Sequence, residues 1–254
     1  MVDITIINCL SDNYSYLIRD KKTNLIGIVD PSEFNQVDKI INRTYKKLDF
    51  IFNTHHHSDH VGGNISLKKK YKSKIVCPSY EADKIPDADL KKSDREKFFF
   101  GETDFEILHI PGHTLGHIAF YSKKADIIFT GDTLFSLGCG KIFEGTFEQM
   151  FNSLEKIKKL PKNTMIYCGH EYTTSNGNFC VSVDKDNAKL KNRIQEVKKR
   201  REKKIPSIPV TLGSELETNV FLRSDDKQIK NDLGMNNSTK LEVFTKLRNL
   251  KDKF

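Results

Sequence analysis

The sequence predicts an α+β protein, and three observations carry that prediction. Short apolar runs recur through the first part of the chain, several of them ending in glycine followed by histidine or aspartate, while the last part spaces its apolar residues as helices do. With 254 residues, 30% charged and 37% hydrophobic, the chain can bury a core in one large or two smaller domains. Disordered and fibrous classes are excluded by the same figures.

The first strands are Ile4–Ile7 and Tyr14–Ile18, parted by Leu10-Ser11-Asp12-Asn13, and then Asn24–Val29, which runs into Asp30-Pro31 where proline ends the ladder. They form a β-meander. Phe34, Val37, Ile40 and Ile41 mark a helix over 33–46, and a short buried strand follows at 49–53. Beyond it a helix is expected to reach Tyr71, then a strand at Ile75–Pro78, and helix plus loop over the polar stretch 80–97. Phe105–Ile110, Ile118–Tyr121, Asp126–Thr130 and Thr164–Cys168 read as further strands, with a helix near 147–159.

At the end of the 49–53 strand stands Thr54-His55-His56-His57-Ser58-Asp59-His60, which holds four of the eight histidines. Side chains alternate on extended chain, so His55 and His57 share one side and His56 faces away; a turn then lets Asp59 and His60 reach a second position. One segment can therefore serve two metals. Later strands end in the same manner, at Pro111-Gly112-His113, Gly131-Asp132 and Gly169-His170. Singly, His113 and His170 read as ordinary histidines and Asp132 as a turn former. Together the seven side chains exceed one tetrahedral site and suit two metals with a shared carboxylate. Zinc comes first, with iron and manganese also suited to imidazole and carboxylate. His56, His109 and His117 remain for supporting roles.

Leu190, Ile194 and Val197 mark a helix in the last part of the chain, and Leu241, Val243, Phe244, Leu247 and Leu250 mark the core side of another. Thr239 and Glu242 have capping-box spacing at its start, and Ile205–Pro209 reads as extended linker. By spacing alone Arg248 and Lys251 are surface charges on one helical face.

The formal charge of +8 raises the question of an acidic partner, but the basic runs at 68–70, 198–201 and 203–204 read as solvated helix faces. Neither nucleic acid nor membrane is expected as partner, and no apolar run approaches the ~20 residues of a bilayer span. Five scattered cysteines without a C-x-x-C pair, and a start lacking the basic-then-apolar pattern of a secretory signal, suggest the cytoplasm.

The T-H-H-H-S-D-H, P-G-H-T-L-G-H, G-D-T-L-F and C-G-H-E-Y-T stretches resemble the metallo-β-lactamase superfamily. Gly138-Cys139-Gly140-Lys141, Tyr172, Arg248 and Lys251 resemble, within it, the glyoxalase II or hydroxyacylglutathione hydrolase family. The resemblance implies an αββα sandwich over residues 1–173, the catalytic domain, and a small helical substrate-binding domain over 174–254. It implies one metal held by His55, His57 and His113, a second by Asp59, His60 and His170, and Asp132 bridging. Asp59 and Asp132 thereby become catalytic residues together with a metal-bound hydroxide. Lys141, Phe143, Tyr172, Arg248 and Lys251 fall at the glutathione contacts. Phe143 stands where some relatives carry tyrosine, Ile110 where threonine often precedes P-G-H, and Val220 where proline is common.

The implied reaction is hydrolysis of a glutathione thioester, S-D-lactoylglutathione, to glutathione and D-lactate, the second step of methylglyoxal detoxification. A thiol leaving group has a pKa of roughly 8.5, so it needs little general-acid help. Persulfide dioxygenase chemistry, another hydrolase of the same fold and, further off, nucleic-acid processing are the alternatives. A second ligand set favours the binuclear hydrolase over the dioxygenase.

Overall fold

The computed structural model describes residues 2–254. The chain divides into two compact units, one of residues 2–109 and 115–131, the other of 110–114 and 132–254.

The first unit opens with β1 (Val2–Cys9) and β2 (Asn13–Asp20), paired antiparallel from Val2↔Asp20 to Cys9↔Asn13, and β3 (Ile26–Val29) antiparallel to β2. Helix α1 (Phe34–Thr44) then crosses to β4 (Phe50–Phe52), which pairs parallel with β3 as crossover connections require. The short α2 (Ser58–Val61) and α3 (Asn64–Tyr71) lead to β5 (Lys74–Pro78), parallel to β4, and to β6 (Leu90–Lys92) at the sheet edge. Strands β7 (Lys97–Phe100), β8 (Thr103–His109), β9 (Ile118–Ser122) and β10 (Ile127–Gly131) form an antiparallel ladder in a second sheet.

Both faces of the first sheet are covered, which explains why its central strands are continuously apolar. On one face Leu17, Ile28, Ile51 and Ile75 pack with Val37 and Ile41 of α1 and Leu67 of α3. On the other, Phe52 makes edge contacts with Phe98, Phe100, Phe105 and Phe120 of the second sheet at 5.4–6.0 Å between ring centres. Such pairs add about 0.5–1.5 kcal/mol each beyond burial. They fix β4, and with it the histidines that follow.

One local expectation is corrected. The stretch 80–97 holds a 3₁₀ turn (Ser79–Lys84) and then strand β6 and the first residue of β7, where helix and loop were expected. The lysines of β6 belong to an edge strand, where charge discourages further pairing. The helix expected to reach Tyr71 is α3, which follows the Gly62-Gly63 turn, and α2 is a separate short helix ahead of it.

The second unit holds the hairpin β11 (Leu134–Phe135) and β12 (Gly138–Cys139), helix α4 (Phe147–Lys158) and β13 (Met165–Cys168). Helices α5 (Thr173–Val183) and α6 (Ala188–Glu202) follow. After the irregular 205–209, β14 (Val210–Thr211) pairs antiparallel with β13. Helices α7 (Leu212–Thr218), α8 (Lys227–Asp232) and α9 (Lys240–Lys251) close the chain. The Thr239–Glu242 capping box forms as its spacing predicts, with Thr239 accepting from the Glu242 amide. Helix α9 buries Val243, Phe244 and Leu247, and Phe244 packs on Phe151 of α4 at 5.7 Å. Among the described residues no helix is long and apolar enough to cross a membrane.

Candidate metal centre

In the first unit the ligand-type residues stand just past β4 and in α2. His55 and His60 are fully buried, while His57 and Asp59 are half-buried. His55 Nε2 lies 3.1 Å from His57 Nδ1, and His60 Nε2 lies 3.5 Å from Asp59 Oδ2. Asn13 Nδ2 donates to Asp59 Oδ2 at 2.9 Å and orients that carboxylate.

Asp30, to which the sequence assigned no role, organises this group. Its Oδ1 accepts from the Thr54 amide at 2.8 Å, and its Oδ2 accepts from the Thr54 hydroxyl at 2.7 Å and from His60 Nδ1 at 3.1 Å. A hydroxyl has one proton, so Thr54 Oγ1, 3.0 Å from His55 Nδ1, accepts there. Protons on both Nδ1 atoms leave Nε2 of His55 and of His60 as lone pairs, the form a metal ligand needs. Asp30, His55 and His60 also place ligand-type atoms within 4.8 Å of one another, but the carboxylate is taken up by Thr54 and His60.

In the second unit His113, Asp132 and His170 are buried and close together. Asp132 Oδ2 lies 3.4 Å from His113 Nε2 and 3.2 Å from His170 Nε2, the placement of a carboxylate shared by two imidazoles. His113 Nδ1 donates to the Lys141 carbonyl at 2.7 Å, and since a carbonyl only accepts, His113 Nε2 is again the lone-pair atom. Gly140 is required beside this group, because a Cβ there would overlap the Asp132 carbonyl.

The remaining histidines support the scaffold. His117 stacks on His55 with ring centres 4.6 Å apart. His109 Nε2 donates to the Leu115 carbonyl at 2.9 Å, because that oxygen only accepts. The His56 amide donates to Glu81, a buried carboxylate that no sequence pattern singled out. Glu215 was missed likewise. It is fully buried and accepts from the Leu137 amide, Ser136 Oγ and Asn219 Nδ2, bracing the β11–β12 hairpin, and burial raises its pKa above the usual carboxylate range.

The residues expected at the glutathione contacts all lie in the second unit. Lys141 Nζ sits 5.5 Å from the centre of the Phe143 ring, and that ring, 61% exposed, meets His113 edge-on at 5.2 Å. Tyr172 stacks on His170 at 4.7 Å with the planes 4° apart. Arg248 is only 5% exposed: Nη1 donates to the Cys139 carbonyl at 2.8 Å and Nη2 to Asp252 at 3.0 Å. The surface position that spacing suggested for it is corrected. Lys251 Nζ lies 3.3 Å from Ser175 Oγ.

Residues 11–170 match the model of the metallo-beta-lactamase superfamily, and residues 171–254 match that of the hydroxyacylglutathione hydrolase C-terminus. A hydroxyacylglutathione hydrolase of Pelagibacter ubique (strain HTCC1062) is 49% identical over 253 residues, 100% of each chain. This chain belongs to the hydroxyacylglutathione hydrolase family. A second hydroxyacylglutathione hydrolase, from Chelativorans sp. (strain BNC1), is 44% identical over 246 residues, 97% of this chain and 96% of that one. Among solved structures, ETHE1 from Myxococcus xanthus superposes with a TM-score of 0.70 at 22% identity, over 98% of this chain and 91% of that one. That likeness speaks for the fold alone. Membership in the hydroxyacylglutathione hydrolase family makes the chain an enzyme of the metal-dependent hydrolase class, with the sandwich and helical C-terminal domain expected from its motifs. Its His/Asp clusters have the ligand chemistry of a dinuclear hydrolase site.

Proposed function

We propose that the protein hydrolyses S-D-lactoylglutathione and related S-2-hydroxyacylglutathiones to glutathione and the free 2-hydroxy acid, the second step of methylglyoxal detoxification. The observation that carries this reading is the end-to-end match to hydroxyacylglutathione hydrolases, with the C-terminal module included. Residues 1–173 are the catalytic domain in this reading and 174–254 the substrate-binding domain, which is supported by family-model matches that meet at residues 170 and 171.

His55, His57 and His113 would hold one divalent cation and Asp59, His60 and His170 the second, and Asp132, beside His113 and His170, would be shared. The donor set fits: His55, His60 and His113 are each held by Nδ1 so that Nε2 carries the lone pair. Two cations bound there would lower the pKa of a shared water and polarise the thioester carbonyl. Asp30 and Asn13 keep His60 and Asp59 aimed, and Asp132 would supply negative charge to the bound cations. Five imidazoles and two carboxylates accept zinc, iron or manganese, with zinc our first choice.

Arg248 and Lys251 would bind a glutathione carboxylate. The Lys251 ammonium is held below its usual pKa by burial and, next, by Arg248, so an anion placed between the two relieves both costs. Arg248 Nε is buried with no hydrogen-bond acceptor among the described residues. Lys141, Phe143 and Tyr172 would line the thioester side. A cytoplasmic location is supported by five cysteines that are all free thiols.

The test is loss of thioester ultraviolet absorbance from S-D-lactoylglutathione, with metal content measured on the same sample. Turnover with about two metals per chain, abolished by chelation and restored by metal, is the expected result. A fully metallated sample without turnover would reject the substrate assignment.

A further inference from the structure

The buried carboxylate of Glu81 has no part in the chemistry above, yet it reaches the main chain between two proposed ligands. Glu81 sits in the 3₁₀ turn Ser79–Lys84 and is 2% exposed. Its Oε1 accepts from the His56 amide at 2.8 Å and faces His56 Nδ1 at 3.2 Å. Its Oε2 accepts from the Gly116 amide at 3.0 Å. One carboxylate thus ties His55-His56-His57 to the residue before His117, whose ring stacks on His55.

The approach is tight. A Cβ on Gly116 would come within 2.6 Å of Glu81 Oε2 and 2.7 Å of its Cγ, so glycine is required for the carboxylate to lie against that peptide. A buried carboxylate is costly unless hydrogen bonds satisfy it, and here both oxygens are used. Glutamine could not replace it, because an amide has one acceptor oxygen and would turn its NH₂ toward one of the two peptide donors.

We infer that Glu81 is a positioning residue: it fixes the His56 peptide so that His55 and His57 project together, with ring centres 4.7 Å apart and planes at 76°. The inference rests on the reading of His55 and His57 as ligands of one cation. Groups that hydrogen-bond the ligands themselves commonly change metal affinity by about 10–100-fold, and Glu81 acts one bond further out, through the His56 peptide, which puts its effect at the low end.

The experiment compares full-length wild type with Glu81→Gln, measuring zinc affinity by competition with a chromophoric chelator and the visible spectrum of the cobalt-substituted protein. The expected result is a folded variant with zinc affinity at least about tenfold weaker and a shifted cobalt spectrum. A role in fold stability alone would lower the melting temperature of the metal-free protein and leave zinc affinity unchanged, and that result overturns the inference. If Glu81→Gln does not fold, Gly116→Ala decides: it keeps the carboxylate and displaces it, and wild-type zinc affinity in that variant is equally fatal. Zinc binding is read without the thioester, so a failure of the proposed hydrolysis is separable from a failure of this clamp.

Discussion

The Nδ1 of His113 donates to the main-chain carbonyl of Lys141 at 2.7 Å, so the segment that carries a proposed substrate-binding side chain also orients a proposed metal ligand. Main chain and side chain at this place should therefore separate experimentally. Gly140→Ala, whose Cβ would overlap the Asp132 carbonyl, is expected to lose metal and activity together. Lys141→Ala, which removes only an exposed side chain, is expected to retain two metals and raise KM. Metal analysis with steady-state kinetics on both variants checks this, and metal loss in Lys141→Ala would contradict it.

Asp132 Oδ2 lies within 3.4 Å of the Nε2 atoms of both His113 and His170. Replacing it with alanine should lower metal content and kcat together, whereas a variant with full activity would remove it from the bridging position. Addition of excess zinc should restore little, since the shared carboxylate is gone.

Arg248→Ala should show two effects, because the side chain is buried and already bonded. Loss of its bond to the Cys139 carbonyl leaves a buried acceptor, with a cost of about 1–3 kcal/mol in urea unfolding. KM for the glutathione thioester should rise with a smaller change in kcat. Lys251→Ala is expected to raise KM with little change in stability, and an unchanged KM in both variants would take the pair out of the substrate site.

The cysteines should be inert in the native enzyme. Burial pushes Cys168 and Cys180 up to about 12 and Cys9 and Cys77 up to about 11; it raises Cys139 as well, against the pull of Arg248. Treatment with iodoacetamide at pH 8 should leave activity intact, and all five thiols should react only in denaturant. Rapid inactivation with one thiol modified would point to a cysteine nucleophile instead.

Asp20 should account for part of the acid sensitivity of the fold. Burial alone would raise its pKa, but bonds from the Thr23 amide, the Thr103 and Thr23 hydroxyls and the Lys22 amide outweigh that and bring it to about 2. A depressed carboxylate pKa stabilises the fold above the unfolded value of 3.8 and loses that contribution as pH falls through about 2. The shift corresponds to on the order of 2 kcal/mol at pH 7. Urea unfolding of Asp20→Asn should trail wild type by about that amount at pH 7, with the gap closing below pH ~3. A gap constant with pH would refute the assignment.

Residue types at strand ends were legible in the chain itself. His55, His57, Asp59 and His60 lie within six residues, so alternation for the first pair and a turn for the second were enough to read them as ligand-type side chains. The Thr239–Glu242 cap was legible for the same reason, its two partners being three residues apart. Strands β6 and β7 were less so, because short edge strands made of lysine and aromatic residues acquire their character from the neighbour they pair with.

What the sequence by itself determined, then, is the α+β class, the family membership carried by local motifs, and the identity of the ligand-type side chains. Only the tertiary structure decided which imidazole nitrogen faces outward, that Asp30 serves Thr54 and His60, that Glu81 holds His56 and Gly116, and that Arg248 is buried against Cys139. The physical reason is range. A charged residue read along the chain belongs by default to solvent, and its burial depends on donors or acceptors from segments 24 to 109 residues away, which periodicity does not record.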